Sequence, residues 1–455
     1  NEGECPAMAR TADSARTIAE LVDATPFVDT HEHLSDESRR LDALTRPEGK
    51  PAAVCDFSML FSHYADSDLI VAGLPPDDLK RIRESAMSPK EKFRLLAPFY
   101  AAARHTGYMR NVRESVRLLY GEDDLTEANC ERISERLAEG VKPGFYGHIL
   151  KEVAKVEYCQ VNNLDSCVFC ETEMPELLAQ DISTVPLCTG LDIVNVERLA
   201  EREAYSIKDW KEIIDWCFAT FGPRAIATKN QCAYGRALDF EQVSEEDAAP
   251  LFERLLTKGP KDLSNEERKA VEDHLFHYCI DKAAEYRLPV KLHTGYYAGH
   301  GGMPLHRVRA NASDLCPVMK AHRNANFVLF HIDYPYQDEA IALAKHYPNA
   351  YVDMCWAWII NPRASVRFLK EYLMAAPANK VFTFGGDYRP VELVPGHAAV
   401  ARQGLAQAIT ELVHENWLDI DDAPELVDRI MRGNAHALYH YEDTLAHWAS
   451  HKRTT

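Results

Sequence analysis

Short apolar runs alternate with longer amphipathic segments through the second half of the chain. PVKLH (289–293), NFVLFH (326–331), AYVDM (350–354) and KVFTF (380–384) are rich in β-branched and aromatic residues. Runs of this length and composition fit strands on a pleated, buried surface. Between them lie DEAIALAKHY and RASVRFLKEYLMAA, whose apolar positions recur at helical spacing. Strands alternating with helices at this interval imply parallel βαβ units. Earlier runs of the same kind are PFVDT (26–30), VEYCQV (156–161), STVPLCTG around Val185, and RAIATK (224–229). Eight such strands predict an α/β fold, a closed (β/α)8 TIM barrel.

The first two predicted strands are too far apart for an ordinary βα loop. The intervening residues include SPKEKFRLLAPFYAAARHTGYMRNVRESVRLLYG and TEANCERISERLAEG, both with helical patterning. The expected organisation is therefore a barrel domain from 1–33 and 156–455, with 34–155 a large helical insertion after strand 1, packed over the barrel mouth. A second helical insertion is expected around 240–285, and APELVDRIMRGNAHALYHY near the end reads as closing helices.

Composition narrows the class. The 455 residues are 46% hydrophobic, ample for a large core. A formal net charge of −19 argues against nucleic acid and anionic membranes as partners, since both reward basic surface. No apolar stretch approaches the length of a membrane-spanning helix, and NEGECPAMAR lacks the basic-then-apolar order of a leader. The 12 cysteines are scattered; Cys159, Cys188 and Cys355 sit in apolar runs as small hydrophobes. The single CVFC pair, Cys167 and Cys170, is a weak zinc signal without a second pair. A reducing cytoplasmic location, a small-molecule substrate and a homo-oligomeric state are the expectations.

The strongest chemical signal is FVDTHEHL. His31 and His33 alternate at the end of a predicted strand, so both imidazoles face the same side. In a barrel, that end opens into the mouth where active sites are built. His293 ends PVKLH, His331 ends NFVLFH, and Asp387 follows KVFTFGG, where Gly385 and Gly386 permit a sharp exit. Each alone reads as a satisfied loop residue; convergence of the set on one mouth reads as a metal site. Lys229 ends RAIATK, where an uncompensated ammonium is costly to bury. It would either hold an anionic substrate or, carboxylated, bridge two metals, so one or two ions are expected.

This pattern, HxH on strand one, Lys on four, His on five and six and Asp on eight, resembles the amidohydrolase superfamily. The phrases TKNQCAYGR, KLHTGYYAGHGGMPLHRVRANASDL, FHIDYPYQDEA, GGDYRPVE and MRGNAHALY are similar to its amidohydrolase-related branch, a domain also found fused to glutamine-synthetase-like domains. Uronate isomerases look like more distant cousins. The resemblance implies that His31, His33 and Asp387 bind a divalent ion, Zn²⁺ first and Mn²⁺ as a substitute. It makes His293 a further ligand or a group polarising the substrate, and Lys229 a ligand if carboxylated. Asp387 would also pass a proton from water to the leaving group, and His331 would orient or stabilise developing charge.

Tyr234, Arg236, Arg309 and Arg389 lie close in sequence to these positions, as do His306 and Arg307. Guanidinium forks match carboxylates, so these residues are candidate substrate contacts. Arg104, His105 and Tyr108 of the insertion are weaker candidates. The expected reaction is hydrolysis of an amide, lactam or lactone. Isomerisation of a sugar acid and non-oxidative decarboxylation are the alternatives, since fold does not fix reaction. A binding or scaffold protein would not need the complete ligand set.

Overall fold

The computed structural model describes residues 6–44, 55–83 and 87–451. Residues 1–5, part of the segment on which the leader reading rests, lie outside them. Eight strands form one sheet in sequence order: β1 (Phe27–Glu32), β2 (Val156–Val161), β3 (Leu178–Ser183), β4 (Ala227–Asn230), β5 (Val290–Leu292), β6 (Phe327–Leu329), β7 (Ala350–Asp353) and β8 (Val381–Phe382). The pairings from β4 to β7 are parallel, with Lys229 opposite Lys291, Lys291 opposite Val328 and Val328 opposite Tyr351. The segment after β8 returns to β1: the amide of Thr30 donates to the Phe384 carbonyl at 3.0 Å, and that of Asp387 to the His31 carbonyl at 2.8 Å. The architecture is a nearly closed (β/α)8 barrel.

The third strand differs from expectation. It is LAQDIS, not STVPLCTG; Val185–Thr189 is a wide helical turn that follows it. Pro186 cannot donate to a ladder, and the buried Leu187 instead receives the Trp210 indole N–H on its carbonyl at 2.9 Å. LAQDIS escapes an apolar search because it carries Asp181 into the interior. There both carboxylate oxygens of Asp181 lie 2.9 Å from Lys291 Nζ, with neither side chain exposed.

The chain divides into two compact units. The first comprises Asn1–Cys159, Tyr297–Met303 and Met354–Asn434. It holds β1, β8 and the helices of the insertion, Pro89–Ala103, Gly107–Tyr120 and Cys130–Gly140. Ser88 opens the first of these with a reciprocal capping box, and Gly121 ends the second in the left-handed conformation. The helix Gly107–Tyr120 lies in backbone contact with its neighbours. A Cβ on Gly107 would fall 2.2 Å from the Ile359 carbonyl, and one on Gly396 2.2 Å from that of Asn111. The insertion helices, β1 and β8 all belong to this unit.

The second unit comprises Gln160–Tyr296, Pro304–Asp353 and Ala435–Thr455. It holds β3 to β7 and the helices Glu245–Lys258 and Asn265–Glu285, which match the second insertion read from sequence. Among the described residues no helix is long and apolar enough to cross a membrane.

Candidate metal centre and a second histidine pair

In the first unit β1 delivers His31 and His33 with their rings 4.7 Å apart, nearly perpendicular. The turn after β8 brings Asp387 to them: its Oδ1 lies 3.3 Å from His31 Nε2 and 3.1 Å from His33 Nε2. Their donor atoms all lie within 4.8 Å of one another. Four ligands tetrahedral about zinc at ~2.05 Å stand ~3.3 Å apart, so this spacing fits one shared cation, and two imidazoles with a carboxylate suit Zn²⁺ or Mn²⁺. Burial would raise the Asp387 carboxyl, but hydrogen bonds from His31 and His33 and their charge hold it well below the usual carboxylate range.

The approach of β8 depends on missing side chains more than on turn freedom. A Cβ on Gly386 would fall 1.8 Å from Glu32 Oε1, and one on Gly385 2.8 Å from Cys355 Cβ. Neither glycine has a positive φ; Asp387 itself takes φ 61. Two fully buried carboxyls lie beneath. Glu32 accepts the Tyr388 amide at 2.6 Å, and Asp29 accepts the amides of His31 at 3.1 Å and Gly386 at 3.2 Å. Burial pushes Glu32 well up and Asp29 up to about 6.

Sequence reasoning missed several residues here. His63 and Tyr64, from the insertion, both hold positive φ, and the Tyr64 hydroxyl donates to the Asp387 carbonyl at 2.6 Å. Left-handed non-glycine residues persist where the surroundings over-determine them, often at functional sites. Burial, then the neighbouring His33, pushes the His63 imidazole down to about 4; Asp387 and Arg389 also act on it. Tyr64 stacks on Trp356 with centroids 4.5 Å apart and on Tyr108 at 5.4 Å. The SHY tripeptide carries no periodic signal; MCWAW after the seventh strand could have suggested an aromatic wall. Arg389 is exposed beside this group. Arg104 pairs instead with Asp124, and His105 is exposed.

In the second unit β5 and β6 end in a histidine pair. His331 Nε2 lies 3.0 Å from His293 Nδ1, while His293 Nε2 lies 2.9 Å from the Tyr296 carbonyl. Both ring nitrogens of His293, expected as a further ligand or a group polarising the substrate, are thus within hydrogen-bond distance of a partner. His331, Ile332 and Asp333 all take positive φ, a strained turn that aims the ring. Lys229 is buried with its Nζ 3.7 Å from the centre of the Phe330 ring, and the Tyr234 ring is tilted against His293 with centroids 4.6 Å apart. Arg307 donates to the carbonyls of Ala233 at 2.6 Å and Tyr234 at 3.0 Å, fixing that turn.

Arg236 is spent elsewhere: its guanidinium pairs with Glu272 at 3.0 Å and Asp273 at 2.5 Å, leaving little of its fork for a substrate. Arg309 and His306 are exposed on their loop. In CVFC, Cys170 is buried and burial pushes Cys167 up to about 11, so that thiol stays protonated.

The Amidohydrolase family profile matches residues 236–441. Protein fluG of Emericella nidulans is 24% identical over 227 residues, 48% of this chain and 26% of that protein. A uronate isomerase of Cutibacterium acnes is 26% identical over 180 residues, 36% of this chain and 38% of its own length. The chain thus spans well under half the length of these curated relatives. Among solved structures, glucuronate isomerase from Caulobacter crescentus superposes with a TM-score of 0.73 at 18% identity, covering 94% of both chains, a likeness of fold.

Proposed function

We propose that this chain, whose residues 236–441 match the Amidohydrolase family and which is distantly like the uronate isomerases, is a metal-dependent enzyme of the amidohydrolase superfamily acting on a small carboxylate-bearing substrate. The ion is held by His31, His33 and Asp387, zinc first and manganese second. The observation that carries the reading is the pair of imidazole nitrogens 3.3 and 3.1 Å from one oxygen of a buried carboxylate.

A divalent ion held by these donors would polarise a carbonyl and bring the pKa of water towards neutrality. Asp387, ionised and buried, accepts a proton from the attacking water and returns it to the leaving group. Arg389 offers its guanidinium to a substrate carboxylate. His63, neutral above about pH 4, accepts or donates a hydrogen bond without adding charge. The reaction proposed is hydrolysis of an amide, lactam or lactone. Incubation of the zinc- or manganese-loaded protein with carboxylate-bearing members of those classes tests it. Release of the free acid supports it, and an untouched panel overturns it.

A second reading, isomerisation of a uronate, is favoured by the likeness to glucuronate isomerase over 94% of the chain. In that case Asp387 or a neighbouring base moves a proton between adjacent carbons and no water is consumed. Appearance of a ketose from glucuronate or galacturonate decides for it.

A further inference from the structure

Asp387 reaches His31 and His33 from a backbone conformation that residues with a Cβ disfavour, at φ 61. Three consecutive peptides carry it, and each of their six polar groups is engaged. The Gly385 carbonyl accepts the Trp356 amide at 2.9 Å, and the Gly386 amide donates to Asp29 at 3.2 Å. The Asp387 amide donates to the His31 carbonyl at 2.8 Å. The Asp387 carbonyl accepts the Tyr64 hydroxyl, and the Tyr388 amide donates to Glu32, both at 2.6 Å. The remaining group, the Gly386 carbonyl, meets Nδ1 of His397 at 3.2 Å.

His397 stands in the first turn of the helix Val394–His414 with no exposed surface. Gly396 seats that turn, its amide donating to Ser115 Oγ at 3.2 Å. The imidazole packs against Phe384 and Tyr388, with centroids 5.1 and 6.3 Å away. A carbonyl can only accept, so Nδ1 carries the proton. Nε2 is buried with no hydrogen-bond partner. Burial pushes the ring down to about 3, so it is neutral and Nε2 holds only a lone pair. Phenylalanine would fill this space without burying an unpaired polar atom. What the imidazole adds is one N–H, and that N–H meets the peptide bearing Asp387.

Gly386 has no Cβ to restrict the turning of that peptide. Inverting the Gly386–Asp387 peptide plane would carry Asp387 out of the left-handed region. It would also swing the Asp387 amide off the His31 carbonyl and the Gly386 carbonyl off His397. We propose that His397 is a positioning residue for the metal centre: its Nδ1–H holds the Gly386 carbonyl and so keeps Asp387 in the left-handed conformation that sets its carboxylate beside His31 and His33. The role rests on the metal reading above and concerns affinity for the ion, whichever reaction follows.

The test is the zinc affinity of the full chain, measured by competition with a chromogenic chelator, beside the thermal midpoint of the metal-free protein. His397→Phe keeps a ring of similar size and removes the donor. It is expected to weaken zinc binding about ten- to a hundredfold, the usual loss when an outer partner of a metal site is removed. The metal-free midpoint is expected not to fall with it. His397→Asn, whose amide can donate near the place of Nδ1, should recover most of the affinity; His397→Gln, whose amide lies nearer the place of Nε2, should not. Undiminished zinc affinity in folded His397→Phe overturns the role and leaves the metal site standing, whereas a native chain that binds no zinc overturns both. A loss of affinity that only follows a lowered metal-free midpoint is that of a structural residue and also overturns it. If His397→Phe does not fold, the Asn and Gln variants decide, and equal affinities overturn the role.

Discussion

At the residue scale, Asp387 has two tasks that a substitution can separate. Asp387→Asn keeps the shape but removes the charge shared with His31 and His33. It is expected to lower bound metal measured by elemental analysis, and to lower turnover by about a thousandfold, within the range of a lost general acid–base. His31→Ala should lose metal equally without removing the base. Full metal content in either variant would exclude the donor set. A second residue-scale expectation concerns His277, whose Nδ1 lies 2.6 Å from His322 Nε2, itself turned by Asp281 at 2.9 Å. Burial, then His322, pushes His277 down to about 4 from 6.5. The unfolded chain therefore binds the extra proton first. The stability tied to a neutral His277 is fully present above pH 6.5 and is lost as pH falls towards 4. Urea midpoints of the native chain should fall more steeply over that window than those of His277→Gln; parallel slopes would remove His277 from the acid sensitivity.

At the scale of elements, the insertion is held by backbone proximity. Gly396 donates its amide to Ser115 Oγ at 3.2 Å, and a methyl group placed on its Cα would lie 2.2 Å from the Asn111 carbonyl. Gly396→Ala must push the helices Gly107–Tyr120 and Val394–His414 apart. Overpacking of this kind costs ~1–3 kcal/mol, read as a lower midpoint in denaturant. An unchanged midpoint would mean the helices part freely. Gly386→Ala forces the turn after β8 off Glu32, and is expected to lower metal affinity as well as stability. The elements themselves were unevenly legible. β2 coincides with VEYCQV because its apolar run and its hydrogen-bonded run are the same residues. β3 does not, because a buried Asp181–Lys291 pair replaces apolar contact within a strand.

At the scale of the whole molecule, metal and fold are linked. A ligand that binds only the folded state at a hundred times its Kd adds about 2.7 kcal/mol of stability. Chelation should lower the thermal midpoint and abolish activity, and Zn²⁺ or Mn²⁺ should restore both; indifference to chelator and metal would remove the metal from the function. The sequence-derived substrate contacts divide at this scale. Arg389 stands near the triad, while Arg236 is bound into the Glu272–Asp273 ion pairs.

The alternation of strand and helix and the polar residues at strand ends were readable from the chain alone. Periodicity is local, and a barrel puts the ends of its parallel strands on one face. His31, His33 and Asp387 could thus be singled out before any coordinates. Tertiary structure decided the rest. The left-handed placement of His63 and Tyr64, the commitment of Arg236 to acids, the engagement of both His293 nitrogens and the seating of Arg402 on the Ala154 and Lys155 carbonyls depend on partners distant in sequence. Which partner each side chain meets is set by packing, and no local pattern records it.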